Sequence, residues 1–225
     1  MAGELRIALE VGPKGKKVVA VAQDWPGLAR GAKSAEAAIE RIGAYVPRYA
    51  PIATAAGMAA VFAPNPEIVV IDQFPGVGST DFWGISFAFS QFDQQAMTRD
   101  ELERELTLMR ACWTFFDDVR SHVSAEMARG PRGGGRNRDQ IVRHTFVSEL
   151  DMAKKVGLRW TQDGHPTETE LAEYRDAYCA TIKAFHAAGK TARKWPLRYL
   201  IRHTAFHTLD HAWEMEDKDQ TTGQA

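Results

Sequence analysis

The chain has 225 residues, 44% of them hydrophobic and 25% charged, with a formal net charge of -1. That length allows one large domain or two modest ones, and the composition holds enough apolar residue for a core, which excludes global disorder. The near-zero charge argues against a nucleic-acid partner, and without a run of about 18 apolar residues no membrane span is expected. The opening MAGELRIALEVG carries an acid where a signal peptide needs a basic segment, so a cytoplasmic location is expected. Cys112 and Cys179 form no CxxC, and two buried reduced thiols are expected of them.

Leu5 to Val11 alternates apolar and polar, the period of a half-buried strand. A Gly12-Pro13-Lys14-Gly15 turn leads to a second strand, Lys17 to Gln23, which makes a hairpin that Asp24-Trp25-Pro26-Gly27 breaks. Ser34 caps a helix whose far end Pro47 and Pro51 should limit. Glu67 to Asp72 predicts a third strand and Phe82 to Phe89 a fourth.

From Thr98 the pattern turns helical. Thr98 and Glu101 form a capping box, and an apolar stripe runs from Leu102 to Met127, up to Gly130-Pro131. Further helices are expected over 139–156, from Pro166-Thr167-Glu168 to about 188, and from Pro196 to about 217. The fold class expected is therefore α+β, two-domain: a small α/β domain over 1–92 and an up-down four-helix bundle over 93–225.

Five of the seven histidines lie in the last three helices. His203, His207 and His211 form one stripe, since four residues advance a helix by only about 40° past a full turn. A pair at i and i+4 is the helical half of a zinc-type site, and one ion can take His203/His207 or His207/His211. His144 is the leading third ligand, although it lies nearly opposite the Val142/Phe146/Leu150/Ala153 stripe of its helix. His122, His165 and His186 are expected only to hydrogen-bond. No HExxH, no Glu-x-x-His and no GxSxG occurs, which excludes zincin, di-iron and nucleophile-elbow chemistry.

Asp210 and Glu214 lie on or beside the histidine stripe and are the candidate catalytic groups, Glu214 as base, fourth ligand or orienter. Arg132 and Arg136 belong to an Arg/Gly segment just before the second of these helices, where helix amides also favour anions, and are candidates for binding an anionic cosubstrate.

With IVRHTFVSE around His144 and HTLDH from His207 to His211, the second half resembles the DinB/YfiT-like superfamily of metal-binding four-helix bundles. The resemblance implies a divalent metal, zinc or nickel, on His144, His207 and His211. It also implies a thiol-dependent S-transferase or isomerase, mycothiol-type, acting on a small-molecule electrophile. A metal-dependent hydrolase and a non-catalytic stress-response module with a structural metal are the alternatives. KKVVAVAQDWPGLARGAKSAEAAIERI resembles the HicB-like fold, which implies a partner-binding, dimerisation or pocket-covering role. A homodimer is a candidate state.

Overall fold

The computed structural model describes residues 3–129, 135–161 and 166–221. It is a mixed α+β structure. Strands β1 (Glu4–Val11), β2 (Val18–Ala22) and β3 (Ala29–Ala32) precede helix α1 (Ala35–Ala55) and strand β4 (Glu67–Pro75). Helices α2 (Gly78–Trp83), α3 (Gln91–Gln94), α4 (Arg99–His122), α5 (Arg138–Ala153), α6 (Glu168–Ala187) and α7 (Leu197–Lys218) follow. The sheet order is β3-β2-β1-β4, with β1 antiparallel to β2 and parallel to β4. Among the described residues no helix is long and apolar enough to cross a membrane.

The β1–β2 hairpin forms as its alternation predicts, Leu9 opposite Ala20 and Val11 opposite Val18. The Asp24–Gly27 break then turns the chain back into β3, where the sequence suggested no strand. Ala-Arg-Gly-Ala carries no β-branched or aromatic residue, so its strand state comes from pairing with β2, Val18 opposite Ala32 and Val21 opposite Ala29.

The expected fourth strand at 82–89 does not form. Residues 78–83 are helical, Gly84 ends that turn at φ 71°, and the chain then crosses the sheet as an irregular segment. Buried Glu10 holds it: the carboxylate accepts from Thr80 Oγ1 at 2.5 Å, Ser86 Oγ at 2.6 Å and the Phe87 amide at 3.1 Å. A side chain thus satisfies groups that a ladder would otherwise have used.

Pro47 and Pro51 do not end α1, which runs through both to Ala55. Its buried stripe, Ala38, Ile42, Val46, Tyr49 and Ile52, keeps helical spacing across the prolines, and tertiary burial outweighs the lost hydrogen bonds. The expected long helix stops at His122, short of Gly130-Pro131. Val123 turns extended, and Ser124 N donates to Asp219 Oδ1 at 2.9 Å. Val123 and Met127 stay buried beside Ala212 and Met215 without being helical.

One cluster of buried side chains runs from Ile7 and Leu9 of β1 through Ile42 of α1 and Trp113 of α4 to Leu209 and Trp213 of α7. Helix α7 is buried on nearly every side. It meets the far face of the sheet through Phe206, packed on Val19, Val21 and Ala29. Arg202 forks onto Asp93 of α3, Nε to Oδ1 at 2.7 Å and Nη2 to Oδ2 at 2.6 Å, and its Nη1 donates to Ser86 Oγ at 3.0 Å, tying α3 and the crossing segment to α7. Buried Thr204 and Thr208 return their hydroxyls to the carbonyls four residues back.

Candidate metal centre

His144, His207 and His211 come together between α5 and α7, with one ligand nitrogen from each lying within 4.8 Å of the others. The ring centroids are 5.2 Å apart for His144 and His207, 4.9 Å for His144 and His211, and 4.6 Å for His207 and His211. The i, i+4 spacing on α7 supplies the close pair.

His144 is aimed by its neighbours. Asn137 and Gln140 start α5 with a reciprocal capping box. Ile141, fully buried against Phe116, Ala212 and Met215, and Thr145, whose hydroxyl donates to Ile141 O at 2.9 Å, set the inward direction of the helix. His144 faces His207 and His211 of α7. In the apolar stripe, Phe146 meets Tyr174 of α6 and Val142 packs beside Phe116, Ala212 and Met215.

Behind the triad stands Glu214. Its Oε2 is 2.7 Å from His211 Nδ1 and 3.1 Å from Arg136 Nη2, and its Oε1 accepts from Lys218 Nζ at 2.6 Å. Burial alone would raise this carboxyl, but the hydrogen bonds from His211 and Lys218 outweigh it and bring the pKa down to about 2. Glu214 is therefore a carboxylate at neutral pH that accepts from His211 Nδ1, which leaves Nε2 as the His211 nitrogen to face an ion. A carboxylate that fixes the tautomer of a ligand histidine is the usual support of a metal site.

Burial, with the neighbouring imidazoles and Arg136, brings His207 down to about 2; burial, then His211 and Arg136, lowers His144 as well. Both are neutral near pH 7, the state a metal needs. The donor set thus fits a borderline divalent ion: imidazole nitrogens with an anionic carboxylate one layer out.

The remaining sequence-derived candidates separate. His203 stays out of the triad. It is buried, stacked on Tyr199 at 5.2 Å and 20°, with Trp195 and Phe87 around it. Burial takes its pKa down to about 3. Asp210 turns towards the sheet, where Arg30 Nη1 donates to it at 2.9 Å. Arg136 is occupied by Glu214, whereas Arg132 and His165 lie outside the described residues. His186 bonds Met97 O at 2.7 Å, far off in sequence, and His122 bonds Asp118 O at 2.8 Å within its own helix, both hydrogen-bonding roles. Cys112 and Cys179 are free and buried.

Sequence reading missed Lys218 as a partner of Glu214. The signal was present, since a Glu four residues before a Lys on one helix is a favoured ion pair. It also missed Arg30, whose guanidinium lies 3.8 Å over the Tyr45 ring and 4.3 Å from that of Trp213. No local pattern announces a contact made between a short strand, α1 and α7. No protein-family model, no curated protein and no solved structure matches this chain.

Proposed function

We propose that this chain is a divalent-metal protein that uses a low-molecular-weight thiol in transfer or isomerisation of a small electrophile. Its centre is His144, His207 and His211, zinc or nickel is the ion, and the architecture is a DinB-like bundle over 93–225 joined to a HicB-like domain over 1–92. The observation that carries the metal assignment is the triad itself, three imidazoles converging with Glu214 hydrogen-bonded to His211.

Three protein nitrogens leave coordination positions for an exogenous group, as catalytic zinc-type sites do. When bound, the ion supplies Lewis acidity and lowers the pKa of a coordinated thiol or water. The chain's own part is positional. His144, His207 and His211 present lone pairs, and Glu214 holds the Nδ1 proton of His211. Arg136 and Lys218 hold Glu214 in place. Glu214 therefore acts through His211, because a carboxyl brought down to about 2 is a weak proton acceptor.

A thiol reaction here needs a thiol from outside. Burial pushes the Cys112 and Cys179 thiols up, the latter to about 11, which leaves both protonated at neutral pH. Free buried thiols also suit a reducing compartment such as the cytoplasm.

The test is metal content by mass spectrometry on untagged protein prepared without added metal, beside a His207→Ala/His211→Ala variant. About one metal per chain, lost in the variant, is expected. Thiols screened against small electrophiles should then give turnover that follows metal occupancy. Wild-type protein that takes up neither zinc nor nickel would overturn the metal assignment. A loaded centre with no thiol-dependent turnover would overturn the reaction class.

A further inference from the structure

A second constellation lies on the other side of α5. Val142, Phe146 and Glu149 stand about 140–200° round the helix from His144. With Phe116 of α4 and Leu171 and Arg175 of α6 they line a cavity of about 390 Å³, within the size range of small-molecule sites. Phe116, Val142, Phe146 and Leu171 give it an apolar wall, and Asp117, Arg120, Ser121, Arg138, Asp139 and Thr145 a polar one. On its floor Glu149 is 3% exposed, and its Oε1 closes a hydrogen bond with neither the Trp113 indole nitrogen nor Arg175 beside it. Arg175 Nε, equally without a partner, is 3.7 Å from that oxygen, too far for a hydrogen bond. Buried polar atoms are rarely left so, and a donor and an acceptor unmet side by side on a cavity floor mark the place of a missing group.

The charges around the cavity select its kind. Arg175 Nη1 is held by Asp117 at 2.5 Å. Arg120 is held by Asp117 and Glu168, and Arg138 by Asp139. An anion reaching Arg175 Nε meets the Glu149 carboxyl, and a cation reaching Glu149 meets the Arg175 guanidinium. A neutral head carrying an N–H and a C=O together satisfies both: its N–H donates to Glu149 Oε1, and its oxygen accepts from Arg175 Nε. We propose that the cavity between α4, α5 and α6 is a binding site for a small neutral ligand with a carboxamide-type head on Glu149 and Arg175 and an apolar body against Phe116, Val142 and Phe146. Burial pushes the Glu149 carboxyl up to about 7 against the pull of Arg175, which agrees with a site built for a neutral partner.

The test is a titration of the full chain with benzamide, benzylamine and benzoate. It is followed by two-dimensional amide NMR, reading the indole N–H of Trp113, a neighbour of the Glu149 carboxyl. Saturable shifts with benzamide are expected, at about tenfold higher affinity than with either charged analogue. Glu149→Met should weaken benzamide by about tenfold. Val142→Trp, which fills the cavity from a partly exposed wall position, should abolish the shifts while leaving the spectrum folded. The His207→Ala/His211→Ala variant should bind benzamide as the wild type does, which separates this site from the metal centre. Tighter binding of benzylamine or benzoate would overturn the ligand class. No saturable shift, or shifts that persist in Val142→Trp, would overturn the site.

Discussion

Glu214 Oε2 sits 2.7 Å from His211 Nδ1, three residues back on the same helix, so the carboxylate decides which imidazole nitrogen faces the metal site. Glu214→Ala frees the His211 ring to rotate and to change tautomer. Metal affinity should fall about 10–100-fold, the usual effect of losing such a partner. Glu214→Gln keeps an acceptor oxygen and should lose less. Competition against a chromophoric chelator measures both. Equal affinities in all three proteins would remove Glu214 from the centre.

Arg30 and Asp210 form a different unit. The guanidinium is 4% exposed, packed over the Tyr45 and Trp213 rings, and has no partner on Nε or Nη2. Asp210 is its one carboxylate among the described ion pairs, and 41% of the Asp210 side chain remains exposed. Asp210→Ala should therefore cost about 1–3 kcal/mol, less than a fully buried pair would. In an Arg30→Met background the same change should cost under about 0.5 kcal/mol, because the buried charge is gone. Metal affinity should stay put in both. Urea unfolding and the chelator competition check the two halves, and a drop in metal affinity on Asp210→Ala would return it to the centre.

The parts of the fold written in local pattern were legible. The β1–β2 alternation, the Thr98/Glu101 capping box and the helix stops at Gly157 and Gly189, both at positive φ, all lie within a few residues of their signals. The i, i+4 pair His207/His211 was legible for the same reason. Periodicity alone left His203 and His211 equivalent, and the choice between them came from tertiary packing: Tyr199, Trp195 and Phe87 enclose His203, whereas Glu214 supports His211. The misplaced fourth strand has a similar origin. FWGISFAF alternates well enough for a strand, but the buried Glu10 carboxylate, far away in sequence, takes its amides and hydroxyls. Glu149 lay hidden because a carboxylate on a helix is usually solvated, and only the closing of α4 and α6 around it removes water.

Close approach of β3 to the crossing segment gives a sharp test of that arrangement. A Cβ built on Gly31 would stand 2.1 Å from Gly84 O, a backbone atom that no rotamer can move aside. Gly31→Ala should lower stability by about 1–3 kcal/mol, the range for overpacking. Gly78→Ala meets nothing within 4 Å and should stay within about 0.5 kcal/mol of wild type. Thermal melts of the two variants, read together, distinguish the tight contact from a general intolerance of Ala.

Stability against pH should show two opposed contributions in the metal-free protein. Burial pushes Glu105 and Glu149 up to about 7 from 4.5, so between those values the folded chain binds protons that the unfolded chain does not. Acidification through that window adds stability. Burial takes His203 down to about 3 from 6.5, so the unfolded chain binds the proton first and acidification below 6.5 removes stability. His207, taken down to about 2, acts in the same sense as His203; each group contributes a slope of up to about 1.4 kcal/mol per pH unit, and between 6.5 and 4.5 the two carboxyls and the two histidines offset each other. Glu149→Gln deletes a stabilising slope and should make the protein lose stability faster on acidification. His203→Gln deletes a destabilising one and should make it lose stability more slowly, or gain it. Urea unfolding at several pH values in that window, with chelator present, reads both slopes. Parallel curves for wild type and variants would mean that neither burial governs titration as the structure requires.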